Sequence, residues 1–197
     1  MMVAEKIEKK AFTLEEYLKL ERKADFKSEY VDGEIVRMAG GSPNHTLISS
    51  NVLRAVGNAL EEKGSNCRAL GSDLKVYFEK FNRAAYPDFM VVCSDYEFHN
   101  DRKDIITNPL LVVEVLSKST ENYDRGKKFQ QYRSLPSLRE YVLIDQKEPK
   151  VEAWYKVEEN LWKISNAIKL EDSIPLYSID CEIPLKNIYR LLENFNQ

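Results

Sequence analysis

The heptapeptide Leu110-Leu111-Val112-Val113-Glu114-Val115-Leu116 constrains the fold of this chain more than any other stretch. A continuous apolar run without polar alternation is the pattern of a strand buried on both faces, and such strands occupy the middle of α/β sheets. One charge interrupts it. Leaving a carboxylate there unpaired costs roughly several kcal/mol, so Glu114 requires a cation, a proton or a water-filled cleft. The plainer alternative is a structural ion pair with a neighbouring Lys or Arg.

The segments around this run supply an α/β order. Thr13-Leu14-Glu15-Glu16 has capping-box form and predicts a short helix over about 13–22. Residues 29–31 and 34–38 flank Asp32-Gly33, which predicts a hairpin. Ile48, Val52, Val56 and Leu60 recur at four-residue steps and predict an amphipathic helix ending before Gly64. Residues 67–79 read as extended, Asn82-Arg83 as a turn, and 87–92 as a strand with Asp88 just inside it. Ser119 or Thr120 can cap a helix running to about Leu135, ahead of Pro136. A buried strand over 141–144, a hairpin over 151–155 and 161–165, and a closing helix over 185–192 complete the chain. The expected architecture is α/β, a mixed central β-sheet flanked by helices, with the hairpins at either end as additions to that sheet. With 197 residues and no Pro/Gly/Ser-rich linker, one domain spanning 1–197 is expected, its core over about 12–155 and the C-terminal hairpin and helix packed on it.

Charge and cysteine content narrow the function classes. A net charge of −3 gives no whole-molecule pull toward nucleic acid, so any such contact needs a local basic patch. Arg125 with Lys127, and Arg102 with Lys103, are candidate patches, and solvated faces explain them equally well. Tyr77, Phe78, Phe81 and Tyr86 are at strand spacing and read more readily as core than as base-stacking platforms. Cys67, Cys93 and Cys181 are odd in number and widely spaced, which fits reduced thiols better than a disulfide framework. With His45 and His99 the only histidines, a structural zinc site does not fit. The first residues lack the apolar run of a signal peptide and no segment is long enough to span a membrane, so a cytoplasmic location is the expectation.

Asp88 near one strand start and Glu114 in another strand can converge on one hard cation. Mg²⁺ prefers few carboxylates, several waters and phosphate oxygens, with Mn²⁺ as a substitute, and a phosphodiester substrate fits that chemistry. In the helix that follows, Phe129, Tyr132 and Leu135 mark the inward side. At about 100° per residue Lys128 falls on that side and Lys127 points away. Lys128 is therefore the candidate ammonium, with Asp124 and Gln131 beside it, although it can equally snorkel to solvent. His45 is a candidate base or substrate contact, or a helix-start residue bonded to a loop. Glu34 can reach the metal only if its hairpin crosses the cleft.

Tyr86-Pro87-Asp88, the octapeptide from Val113 to Thr120, the Lys128–Tyr132 stretch followed by Glu140-Tyr141, the Asp32-Gly33-Glu34 turn and His45 together resemble the Uma-two family of endonucleases. That family lies within the PD-(D/E)xK restriction-endonuclease-like superfamily, and the resemblance covers Phe12 to about Tyr155. It implies a restriction-endonuclease-like fold and Mg²⁺-dependent hydrolysis of DNA, with Asp88 and Glu114 as catalytic metal ligands. The sequence departs from the simple motif at Leu116, where a Lys belongs. Related nucleases supply that ammonium from the next helix, which implies Lys128, with Lys118 as its rival. Cutting both strands of a duplex makes a homodimer the expected assembly. Two other readings stay open: a catalytically degraded fold serving as a nucleic-acid-binding or protein-interaction module, and a hydrolase of RNA or a small phosphodiester.

Overall fold

The computed structural model describes residues 11–117 and 120–192. Helix α1 (Leu14–Glu21) starts on the reciprocal cap expected from Thr13 and Glu16: the Glu16 N–H donates to the Thr13 hydroxyl at 3.2 Å and the Thr13 N–H to the Glu16 carboxylate at 2.8 Å. Strands β1 (Ser28–Val31) and β2 (Glu34–Arg37) turn through Asp32 and Gly33, both at positive φ, as a two-residue hairpin loop matched to strand twist requires. Helix α2 (Pro43–Glu62) buries Ile48, Val52, Val56 and Leu60, and ends where Gly64 adopts a left-handed φ of 62°.

Strands β3 (Arg68–Gly71), β4 (Lys75–Phe78), β5 (Arg83–Ala85), β6 (Phe89–Val92), β7 (Ile105–Ile106) and β8 (Leu111–Leu116) follow. A helical segment then comprises α3 (Glu121–Tyr123), a π-helical turn over Asp124–Lys128 and α4 (Phe129–Tyr132). Strands β9 (Glu140–Asp145), β10 (Val151–Glu158), β11 (Leu161–Ala167), β12 (Ser173–Leu176) and β13 (Cys181–Pro184) lead to α5 (Leu185–Ile188).

The main sheet runs β11-β10-β9-β8-β6-β3, with β8 and β9 parallel and the other neighbours antiparallel. This is the mixed α/β sheet expected. β8 lies inside it and all six of its residues are buried. Strand alternation divides them: Val113 and Val115 join a core with α2, whereas Val112 and Leu116 join one with Phe129 and Tyr132. Glu114 shares the parity of the second set, so its carboxylate faces the helical segment after β8.

Several expectations need correction. The 67–79 stretch is two strands in different sheets, because a turn at Ser72 and Asp73 sends β4 away from β3. A 3-10 turn over Glu79–Phe81 and Asn82, at φ 43°, make the following connection, and Arg83 is a buried strand residue. The N-terminal hairpin does not extend the main sheet; β1 pairs with β5 in a second sheet ordered β2-β1-β5-β4-β7. Asp88 sits one residue before β6 rather than inside it. The closing helix is confined to Leu185–Ile188, and the antiparallel pair β12–β13 ahead of it had no sequence signal, since Pro175 and Pro184 interrupt its alternation.

The cysteine reading is also corrected. Pairing of Arg68 with Val92 sets Cys67 opposite Cys93 one step further in the same register, and the two form a disulfide with Cα atoms 3.9 Å apart. Sequence spacing could not show this, because the contact is made by strand pairing. Cys181 remains a thiol. The case for a reducing compartment from cysteine usage therefore lapses. No helix among the described residues is long and apolar enough to cross a membrane.

Candidate active site

The antiparallel register of β6 and β8 pairs Phe89 with Val113, so its next step sets Asp88 opposite Glu114. Residues facing each other across an antiparallel pair project to the same side. The two acids therefore meet on the sheet face that carries the helical segment. Asp88 is held there by the Val115 N–H, which donates to its Oδ2 at 2.8 Å. The donor is the residue directly after Glu114, which couples the two acids through one peptide unit.

Lys128 reaches the same point from the helix. Its Nζ lies 2.8 Å from Glu114 Oε2 and 3.6 Å from Asp124 Oδ1. Lys128 is buried and Lys127 exposed, the division that helical periodicity predicted. The π turn that carries Asp124 and Lys128 has no signature in the sequence; an inserted residue of this kind widens a turn and re-aims its side chains, and such bulges concentrate at functional sites.

This constellation is short of hydrogen bonds. Glu114 Oε1 is buried without a partner, and the Tyr132 hydroxyl, although near enough to feel the carboxylate, does not attain hydrogen-bond geometry with it. Burial pushes the Glu114 carboxyl up to about 8; Lys128 opposes this, while Asp88 and Asp124 reinforce it. Asp124 is likewise raised by burial, against Lys128. For Lys128, burial favours the neutral amine, but Glu114, Glu29 and Asp124 outweigh it and hold the ammonium above its ordinary value. Negative charge is thus in excess of what one ammonium offsets.

Such a deficit suits a cation. Asp88 and Glu114 are hard oxygen donors on one face, and an orphaned carboxylate oxygen is a free coordination position. Among the described residues no group of three or more His, Cys, Asp and Glu has metal-holding geometry. Two carboxylates completed by water and phosphate oxygens match Mg²⁺ more closely than zinc, which is bound by four protein ligands or three plus water.

His45 lies in the first turn of α2 and its Nε2 is 3.2 Å from Asp88 Oδ2. The hydrogen bond to Asp88 raises its pKa against the effect of burial. Gly41 makes room for the ring, since a Cβ at that position would sit 3.0 Å from His45 Nδ1. The helix start is tied across the site: Ser42, whose Oγ caps α2, donates to Gln146 Oε1 at 2.7 Å, and Gln146 donates to the Leu116 carbonyl at 2.9 Å.

Not every candidate converges. Gln131 accepts from the Tyr123 hydroxyl at 3.2 Å, placing it beside the helix rather than on the acids. Glu34 is exposed at the turn end of β2, the edge strand of the second sheet. Lys118 lies outside the described residues. The candidate basic clusters are largely committed elsewhere: Arg125 pairs with Glu121 and Glu152, and Arg102 with Asp104. Tyr77, Phe78 and Tyr86 are core residues. Sequence reading missed Glu29 and Arg83, an ion pair across β1 and β5 in which Arg83 is buried and whose carboxylate helps keep Lys128 charged. No local pattern links residues 54 positions apart.

Comparison with known proteins decides the family. A family model described as "Putative restriction endonuclease" matches residues 14–183. The chain belongs to the Uma2 family. Its match runs from α1 through β13, so both sheets and the acid pair fall within the Uma2 region. Two relatives from Synechocystis sp. carry the names "Uncharacterized protein slr1290" and "Uncharacterized protein sll1609". The first is 39% identical over 89% of this chain and 90% of its own length; the second is 36% identical over 79% and 87%. A crystal structure of a "putative nuclease belonging to DUF820" from Anabaena variabilis superposes with a TM-score of 0.71 at 20% identity, covering 90% of this chain and 97% of that one. The architecture is therefore shared with that solved protein, and membership of a family described as "Putative restriction endonuclease" supports a nuclease function.

Proposed function

We propose that this Uma2 protein is a Mg²⁺-dependent endonuclease that hydrolyses DNA phosphodiester bonds at Asp88, Glu114 and Lys128. The observation that carries the proposal is the pairing of Asp88 with Glu114 on one sheet face, with one Glu114 oxygen buried and unpartnered while a lysine holds the other. Asp88 and Glu114 would hold the ion, which when bound supplies charge compensation at the phosphate and acidifies a water molecule. Lys128 would orient the attacking water or offset charge on the phosphate oxygens. It fills the role left open by Leu116. His45 orients Asp88 from the other side. A duplex cut on both strands requires two such sites, so a homodimer is the proposed assembly.

Nicking of supercoiled plasmid with Mg²⁺ or Mn²⁺, comparing wild type with Glu114→Ala and Asp88→Asn, tests this reading. Wild type should nick and both variants should not. Equal activity in all three, or none in wild type on single-stranded, duplex or branched DNA, would overturn it. The second outcome would favour a binding module, to which one observation also points: the Lys128 ammonium is already committed to Glu114 and Asp124.

A further inference from the structure

An open cleft of about 520 Å³ runs from Asp88 and His45 to the open end of the β1–β2 hairpin, where Phe26, Lys27 and Arg37 line it. Phe26 precedes β1 and is 43% exposed. The Arg37 guanidinium, at the end of β2, lies 4.3 Å from the centre of its ring. Backbone pairing fixes this arrangement, because the Met38 N–H donates to the Lys27 carbonyl at 2.9 Å beside the two side chains. The cations in this cleft differ in what holds them. Lys27 is bound by Asp73 at 2.6 Å, whereas no ion pair among the described residues uses Arg37.

We infer that Phe26 and Arg37 form a stacking platform for an unpaired nucleobase, through which a single-stranded or locally opened nucleic acid is led to Asp88. This rests on the nuclease reading and specifies its substrate. An exposed aromatic ring bearing a cation presents a flat surface that attracts the π-face of a base, and a base exposes that face only when it is out of the stack. A paired duplex presents base edges and phosphates instead. The guanidinium adds an attraction for the backbone that the acidic chain as a whole does not provide. The platform residues and Asp88 line the same cleft, so a strand seated on the platform is led along it toward that candidate metal ligand.

Fluorescence anisotropy with a short labelled oligothymidylate and with a labelled duplex, in Ca²⁺ to suppress cleavage, tests the platform. Wild type should bind the single strand more tightly than the duplex. Phe26→Ala should weaken single-strand binding about tenfold and leave duplex binding unchanged, while Phe26→Trp should retain it. Arg37→Gln should weaken both and lower the salt dependence by about one counterion. An unchanged affinity of Phe26→Ala for the single strand, a wild-type preference for duplex, or no binding of either probe would overturn the inference. Plasmid nicking by wild type but not by Glu114→Ala would leave the nuclease reading standing in each case. Thermal melts of the variants, whose side chains reach solvent, verify that the fold is kept.

Discussion

Glu114 and Glu140 are two buried carboxylates on adjacent parallel strands, and they are handled in opposite ways. Glu140, wholly buried at the start of β9, accepts from the Tyr177 N–H at 3.1 Å, the Ser178 N–H at 2.9 Å and the Ser178 hydroxyl at 2.6 Å. It fastens the turn after β12 to the main sheet. Glu114 has one lysine, one orphaned oxygen and two acidic neighbours. Burial raises both carboxyls, but the three donors around Glu140 oppose it, while Asp88 and Asp124 add to it at Glu114. Burial of an acid therefore does not by itself mark a site. An unsatisfied acid in the company of others does.

The largest expected effect separates the two on activity. Glu114→Gln should lower plasmid nicking by about a hundred- to a thousandfold, the scale seen when a preorganised electrostatic contact to the reacting group is removed. Glu140→Gln should leave the rate per folded molecule unchanged. Loss of activity in both variants, measured at matched folded fraction, would erase the distinction.

Stability against pH comes next. The folded-state pKa of Glu114, about 8, lies above its ordinary value of 4.5, so the folded chain holds this proton more tightly than the unfolded one. Stability contributed by the proton is then full below about pH 4.5 and is lost as the pH rises through 8, by up to about 1 kcal/mol per pH unit. In chelator, the stability of wild type relative to Glu114→Gln should fall across that window. Saturating Mg²⁺ should reduce the fall, because it favours the ionised carboxylate. Parallel melting profiles for the two proteins would show that the charge of Glu114 is already compensated.

Glu140→Ala should cost about 3 kcal/mol in chemical denaturation, since it strands two backbone donors and a hydroxyl. Ser178→Ala should cost about 1.5 kcal/mol, the lower end for a hydrogen bond to a charged acceptor, because the other donors to Glu140 remain. If Glu140→Ala proved no more costly than Ser178→Ala, the carboxylate would not be the fastening inferred here.

Features that depend on neighbouring residues were legible in the sequence. Capping at Thr13, the Asp32-Gly33 turn, the α2 stripe and the β8 run each follow from local pattern. The inward direction of Lys128 was legible for the same reason, as helical periodicity survives the π turn well enough to bury it. What failed were readings that required knowing which strand pairs with which. The disulfide, the second sheet that takes the N-terminal hairpin, and the Glu29–Arg83 pair all join residues brought together by register alone.

The sequence by itself determined that Glu114 would be buried in a central strand, because a strand made otherwise of Leu and Val has no polar face to offer. Only the tertiary structure decided that this acid would lack a full set of partners. That depends on the step of register that sets Asp88 opposite it and on the π turn that delivers Asp124 with Lys128. A buried charge acquires its chemistry from neighbours distant in the chain, and local sequence carries no record of their distances.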